Sequence, residues 1–256
     1  VNVAFLLDDT SICSRTRLAM AQADALIARG HRVRIVTKGA PVTWRSSRAE
    51  WIYVEELRDY NAREDIVVDG AAPLIIVDPE FNRASTSREH EPLRVLLSGP
   101  AHEERRAIGD GYGAVAHARW FHQTIDLIRV SPWAPSKEEP LESVQQFLVG
   151  LTTAEMSRLV HGCDVLVAPA FTLTAAEAMA AGLPTVLTFT SLGAGHVAPP
   201  GNAVELGERL IEVLSDPELR ETLRDQGRQA ADKWRVDSVT DSLESWLAAR
   251  GVSPES

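Results

Sequence analysis

The chain has 256 residues, a net charge of −10, 45% hydrophobic and 24% charged residues, a mixture that supports a globular core. Its acidic balance offers no long basic stripe, which excludes a general nucleic-acid binder. No apolar run reaches the roughly 18–20 residues that cross a bilayer, and no signal peptide opens the chain, so no integral membrane segment and a cytoplasmic setting are expected.

In chain order, Val3–Leu7 reads as a short apolar strand. Leu18, Ala19, Ala21, Ala25, Leu26 and Ile27 then recur at helical spacing until Gly30 stops the helix. His31–Thr37 reads as the next strand, which makes this stretch the first β-α-β return of a Rossmann-like domain. Weaker strands are predicted at Trp51–Val54, Ile66–Val68 and Leu74–Val77. The polar, proline-bearing residues 78–92 read as an interdomain linker. The alternation then restarts with strand Leu93–Leu97, helix Ala107–Gln123, strands Ile125–Val130 and Gln145–Val149, and helix Thr153–Val160.

Residues 163–184, CDVLVAPAFTLTAAEAMAAGLP, carry the most information. They predict a buried strand Asp164–Ala168, a short loop, a helix opened at Thr174 and closed at Gly182, and a second buried strand Pro184–Phe189. From Asn202 the chain is almost wholly helical, with breaks near Asp216–Pro217 and Arg235. The pattern predicts an α/β protein of two doubly wound domains: residues 1–77, a linker 78–92, residues 93–235, and a closing helix and tail at 236–256.

A strand–loop–helix unit aims a helix N-terminus at the carboxyl edge of a parallel sheet, where backbone N–H groups and the helix dipole attract phosphate. Glu177 sits just inside the helix that follows Ala168. Two roles are open to it, because Thr174-Ala-Ala-Glu177 is also a capping box. Asp8, Asp9 and Thr10 follow the first strand, and Arg15 and Arg17 open the first helix, where a phosphate contact and solvent exposure are both open. Cys13 and Cys163 lack metal-ligand spacing and read as buried free thiols. Among the histidines, His31 reads as structural, His117 and His122 do not share a helix face, and His161 suits a helix end. His102 and His196 fall in expected loops, and no His-x-x-x-His pair occurs, so no metal site is assigned.

The run Glu177, Ala178, Met179, Ala180, Gly182, Pro184 resembles the donor-binding segment of retaining GT-B glycosyltransferases of the glycogen-synthase and mannosyltransferase type (glycosyltransferase family 4). Leu93–Arg106, LRVLLSGPAHEERR, is similar to that family's first donor-domain strand and phosphate-binding turn. Gly99 is kept there, Pro100 stands where Arg is usual, and Arg105 falls at the usual Lys position with Arg106 beside it. Asp216-Pro217-Glu218-Leu219-Arg220 also resembles a frequent phrase of the family's closing helices.

This resemblance implies a GT-B fold of two Rossmann-like domains facing a cleft, with the N-terminal one abbreviated. The implied reaction moves a sugar from a nucleotide-diphosphate sugar to an acceptor hydroxyl with retention, without a metal. Glu177 would hold the ribose hydroxyls. Arg105 or Arg106, Gly99, and the amides of Thr172, Leu173 and Thr174 would hold the diphosphate. The nucleotide sugar is then a substrate, no cofactor is implied, and no catalytic residue is assigned. The acceptor could be a sugar, a glycan or a lipid-linked hydroxyl. A homo-oligomer stays open, as does a membrane-peripheral location, given Arg15, Arg17 and Arg29 on the first helix.

A second reading stays open beside the enzyme. The family places another acidic residue eight positions before the matching Glu, and Pro169 stands there. The first block is also shorter than the about 100–150 residues of an independent domain. Both features suit a non-catalytic GT-B-like nucleotide-binding or scaffold protein that has lost its transfer loops.

Overall fold

The computed structural model describes residues 1–8, 13–39, 47–62, 65–82, 92–99, 105–122 and 124–251, apart from the side chains of Arg105 and Arg106. The expectations placed on Asp9, Thr10, Pro100, His102, Gln123 and most of the linker lie outside the described residues.

Strand β1 (Asn2–Leu7) turns Val3, Phe5 and Leu7 into a core cluster, and helix α1 (Ser14–Ala28) lays Ala19, Met20, Ala23 and Leu26 over them. Gly30, at φ +85°, lets the chain turn sharply into β2 (Arg32–Lys38), a conformation that costs glycine little. Strands β3 (Glu50–Val54) and β4 (Ile66–Asp69) complete a four-stranded sheet of order β3-β2-β1-β4. Every pairing in it is parallel, with Val3 beside both Val33 and Ile66.

The strand expected at Leu74–Val77 does not form. The Gln22 amide donates to the carbonyls of Ala72 (3.0 Å) and Leu74 (2.7 Å), and its oxygen accepts from Ala72 N–H (2.8 Å). Val77 N–H donates to the Trp234 carbonyl at 3.0 Å. Ile76 and Val77 are buried as an apolar run should be, but the backbone groups a ladder needs are engaged elsewhere.

The second sheet begins with β5 (Leu93–Ser98), followed by α2 (Arg105–Arg119), β6 (Ile125–Ser131), β7 (Gln146–Val149) and α3 (Thr153–His161). Then come β8 (Val165–Ala168), α4 (Leu173–Ala181), β9 (Thr185–Leu187), β10 (His196–Val197), α5 (Ala203–Ser215) and α6 (Pro217–Ala231). Helix α2 stops at Arg119, short of Gln123, where the Arg119 guanidinium turns to the carbonyls of Ile125 (3.0 Å) and Ser143 (2.9 Å). Strand β9 is shorter than Pro184–Phe189, because Pro184 cannot donate and Thr188 turns its hydroxyl to the Pro169 carbonyl at 2.6 Å. Strand β10 has no sequence signal beyond two residues and was not expected.

This sheet is also all parallel, in the order β10-β9-β8-β5-β6-β7. The chain winds outward from β5 through β6 to β7, then crosses to β8 and winds the other way, so the order reverses between β5 and β8. Glycines let α2 press closely on its neighbours: a Cβ on Gly111 would lie 2.6 Å from Leu97 Cδ1, and one on Gly113 2.9 Å from the Ala203 Cβ. A Cβ on Gly207 of α5 would meet the His117 Cβ at 2.9 Å.

The Asp-Pro-Glu-Leu-Arg phrase is a helix corner. Asp216 Oδ1 accepts from the N–H groups of Glu218 (2.9 Å) and Leu219 (3.0 Å), and Pro217 begins α6, where its missing N–H costs nothing. Arg220 is buried and donates to the carbonyls of Val213 (3.0 Å) and Leu214 (2.7 Å), closing the end of α5.

The last helix, α7 (Val236–Gly251), places Val239, Leu243 and Leu247 in the core of the first sheet. Arg29 and His31 pair with Asp241 (2.8 Å) and Glu244 (2.7 Å) on it, so His31 is structural as expected. The chain accordingly divides into two compact units, residues 1–78 with 233–256, and residues 79–232.

Candidate functional site

In an open parallel sheet the strand carboxyl ends diverge where the winding reverses, and this leaves a crevice. In the second unit, that point lies between the end of β5, Ser98 and Gly99, and the end of β8, Ala168 and Pro169. Buried apolar residues on both strands fix the two ends side by side, with Val95, Leu96 and Leu97 of β5 paired to Val165, Leu166 and Val167 of β8.

The crevice walls are tied together by short contacts. A Cβ built on Gly99 would stand 3.3 Å from Ile108 Cδ1 and 3.9 Å from Pro169 Cγ, so the first turn after β5 lies against the first residue after β8. The Ser98 and Thr172 hydroxyl oxygens are 3.4 Å apart, joining the β5 end to the start of α4. The Thr188 bond to the Pro169 carbonyl fastens the segment after β9 to the same loop. Phe171 from that loop is 50% exposed and meets Phe189 edge-on, with ring centroids 5.8 Å apart at 68°.

Thr172, Leu173 and Thr174 form the start of α4, as expected, but one step out of the expected frame. Thr172 is the N-cap, in extended conformation (φ −140°, ψ 153°), so replacing the usual glycine brings no backbone strain. Leu173 is the first helical residue and Thr174 the second, where their N–H groups belong to the turn that lacks intrahelical acceptors. The helix therefore does not open at Thr174, and the Thr174–Glu177 capping box does not form. Glu177 lies beyond the first turn, 2% exposed, in a helix whose nine residues are all buried. Gly182 closes α4 in the left-handed region (φ 74°), with the Arg228 guanidinium where a side chain would stand.

Of the other expected site residues, Gly99 sits at the crevice. Arg105 and Arg106 begin α2, which follows the crevice turn, but their side chains fall outside the described residues. Ser98, Thr188 and Phe171 were not singled out from the sequence. Only the strand order brings Ser98 to Thr172 and Thr188 to Pro169, whereas an aromatic in the loop after a buried strand was a readable signal for Phe171.

Beside the crevice, β6 carries a buried charge. Arg129 is fully buried, with Nε 3.1 Å from Glu139 Oε2 and Nη1 on the Val130 carbonyl, and its guanidinium stands 5.7 Å from the Phe147 ring centre. Tyr112 of α2 donates to the same Glu139 oxygen at 2.7 Å, and burial together with that bond pushes the phenol pKa up. Glu139 anchors the crossover from β6 to β7, which carries a single 3-10 turn at Leu141–Ser143.

The remaining candidates are structural. His196 pairs with Glu212 at 2.5 Å, and this bond, more than the neighbouring Arg209, holds the Glu212 carboxyl below its usual range. His122 meets Ser215 at 2.9 Å, and His161, at the end of α3, bonds the Ser157 carbonyl at 2.7 Å. Burial pushes the Cys163 thiol up to about 12, so it is the buried free thiol expected; Cys13 is only half-buried and touches Thr16 at 3.3 Å. In the first unit, Arg15 pairs with Asp69 at 3.6 Å, while Arg17 is buried. Among the described residues no group of three or more His, Cys, Asp or Glu is placed to hold a metal ion, and no helix is long and apolar enough to cross a membrane.

Residues 134–230, which run from the loop after β6 to the end of α6, match the family glycosyl transferases group 1. Among solved structures, WaaG, a glycosyltransferase involved in lipopolysaccharide biosynthesis, aligns with a TM-score of 0.67 at 18% identity over 96% of this chain and 99% of its own. Sucrose-phosphate synthase from Thermosynechococcus elongatus aligns with a TM-score of 0.58 at 12% identity, over 97% and 98%. No curated protein matches the chain. At these identities the likeness establishes the fold: parallel Rossmann-like units of the GT-B type, as the sequence predicted.

Proposed function

We propose that this protein is a glycosyltransferase that moves a sugar from a nucleotide-diphosphate sugar to an acceptor hydroxyl with retention, without a metal. The observation that carries the reading is the meeting of the α4 N-terminus with the ends of β5 and β8, of which α4 and β8 lie inside the matched segment 134–230. A helix start at a switch point favours a diphosphate, because its N–H groups and dipole oppose the negative charge. The amides of Thr172, Leu173 and Thr174 hold that diphosphate beside Gly99, and Arg105 or Arg106 neutralises the charge that leaves with the nucleotide. Glu177 receives the ribose hydroxyls. The match to glycosyl transferases also counts against the non-catalytic scaffold.

Calorimetric titration with UDP, GDP and dTDP, followed by a hydrolysis screen of their sugar conjugates in chelator, tests the reading. Binding of one diphosphate and chelator-insensitive release of sugar are the expected results. Absence of binding to all three removes the donor-site assignment, and binding without release or transfer to any acceptor revives the scaffold.

A further inference from the structure

Phe171 is a half-exposed aromatic ring at the mouth of the crevice, one residue before the α4 N-cap. Its loop is not free to collapse, since Thr188 fastens Pro169 and Ser98 meets Thr172 on either side of it. Phe189 meets the Phe171 ring edge-on, which fixes the ring while half of it stays in solvent. Burying such a ring in the core would stabilise the fold, and here that stabilisation is forgone beside the start of α4.

The order of groups along this segment gives the ring a partner. Resting on the donor-site reading above, the diphosphate sits at residues 172–174 and the ribose at Glu177, roughly 6 Å further along α4 at 1.5 Å per residue. A nucleotide sugar is linear in the same sense: ribose, diphosphate, sugar. Phe171 precedes the diphosphate position along the chain and Glu177 follows it, which assigns Phe171 to the sugar end. A pyranose ring has a face made of C–H bonds that packs on an aromatic ring through dispersion and burial of apolar area. Pro169, eight positions before Glu177, adds no charged group there.

We infer that Phe171, braced by Phe189, is the surface on which the C–H face of the transferred pyranose packs, so that this end of the donor is recognised by shape and apolar contact. Phe171 is a specificity-determining residue of the site and takes no part in proton or bond transfer.

The test compares two ligands that differ only in the sugar: UDP and UDP-glucose, or the GDP–GDP-mannose or dTDP–dTDP-glucose pair if another base binds. In Phe171→Ala, affinity for the sugar nucleotide falls five- to tenfold while affinity for the bare diphosphate changes less than twofold. Phe171→Leu keeps apolar volume but not the flat face and falls between; Phe171→Trp restores binding. Equal weakening of both ligands, or no change in either, overturns the inference and leaves the donor site standing. If the unaltered protein binds none of the diphosphates, the donor site itself is wrong and the inference falls with it.

Discussion

Among the described residues the tetrad Thr-x-x-Glu occurs at 152–155 and again at 174–177, and these two copies do opposite things. At α3, Thr152 is the N-cap: its hydroxyl accepts from Glu155 N–H at 3.3 Å, and Glu155 takes the Thr152 N–H at 2.9 Å. This is a capping box, and the Thr152 bonds hold the Glu155 carboxyl below its usual range. At α4 the helix begins earlier, at Leu173, and the cap residue Thr172 turns toward Ser98 of β5 instead of its own helix. Thr174 is then already inside the helix, and Glu177 is carried into the buried interior. The capping code is local, and it operates only where nothing else decides the first residue of the helix. A carboxylate withdrawn from that role and buried has a large desolvation cost to offset, which marks it for a tertiary or ligand contact.

The sharpest break of the comparison uses a third carboxylate, buried for purely structural reasons. Replacing Glu139 with Ala leaves Arg129 charged and fully buried, and costs about 3–5 kcal/mol by urea unfolding. A joint Arg129→Met, Glu139→Leu change recovers most of that, since apolar groups of similar volume often serve as well as a buried pair. If Glu139→Ala is nearly neutral, burial of a carboxylate in this unit carries no structural weight and ceases to mark Glu177 for a contact.

Glu177→Gln comes next. Losing a charged hydrogen-bonding group is worth about 1.5–3 kcal/mol, so nucleoside diphosphate affinity falls about tenfold to a hundredfold in a titration, with the circular dichroism melt as the check on folding. Unchanged affinity returns Glu177 to the core as a packing group. Smaller still, Thr152→Ala costs about 1 kcal/mol through loss of the α3 cap, while Thr172→Ala, which removes no cap bond, costs less than half as much in the same urea measurement.

The smallest effect is one of pH. The Glu155 pKa is lowered in the folded protein, so its contribution is fully present above the unfolded Glu value of about 4.3 and is lost as pH falls through the folded value. Glu155 is exposed, so the size is on the order of a few tenths of a kcal/mol. Glu212 contributes with the same sign, and only the difference between the parent and Glu155→Gln isolates the capping box.

Much of the fold was legible because its signals are local. Gly30 and Gly182 ended helices where a positive φ was needed, the runs at Leu93 and Val165 were apolar enough to be buried parallel strands, and Asp216-Pro217 marked a helix corner. Leu74–Val77 misled for the opposite reason: its composition is that of a strand, but Gln22 and Trp234 take its backbone groups. Residues 172–174 were legible as a helix start and Gly99 as the turn after a strand, and both lie at the crevice. The contacts of Ser98 and Thr188 were not, since Ser98 meets Thr172 from 74 residues away and Thr188 reaches Pro169 only through the pairing of β8 with β9.

From the residues alone came the apolar runs that form buried strands, most of the alternation of strands and helices, and a helix start after β8, because hydrophobic period and turn chemistry act over a few residues. Only the tertiary structure decided the strand order that puts β5 against β8, the return of α7 to the first sheet, and the burial of Glu177 beyond its would-be cap. Those depend on which apolar faces meet across long stretches of chain, and local free energies of about 1 kcal/mol per cap yield to that packing.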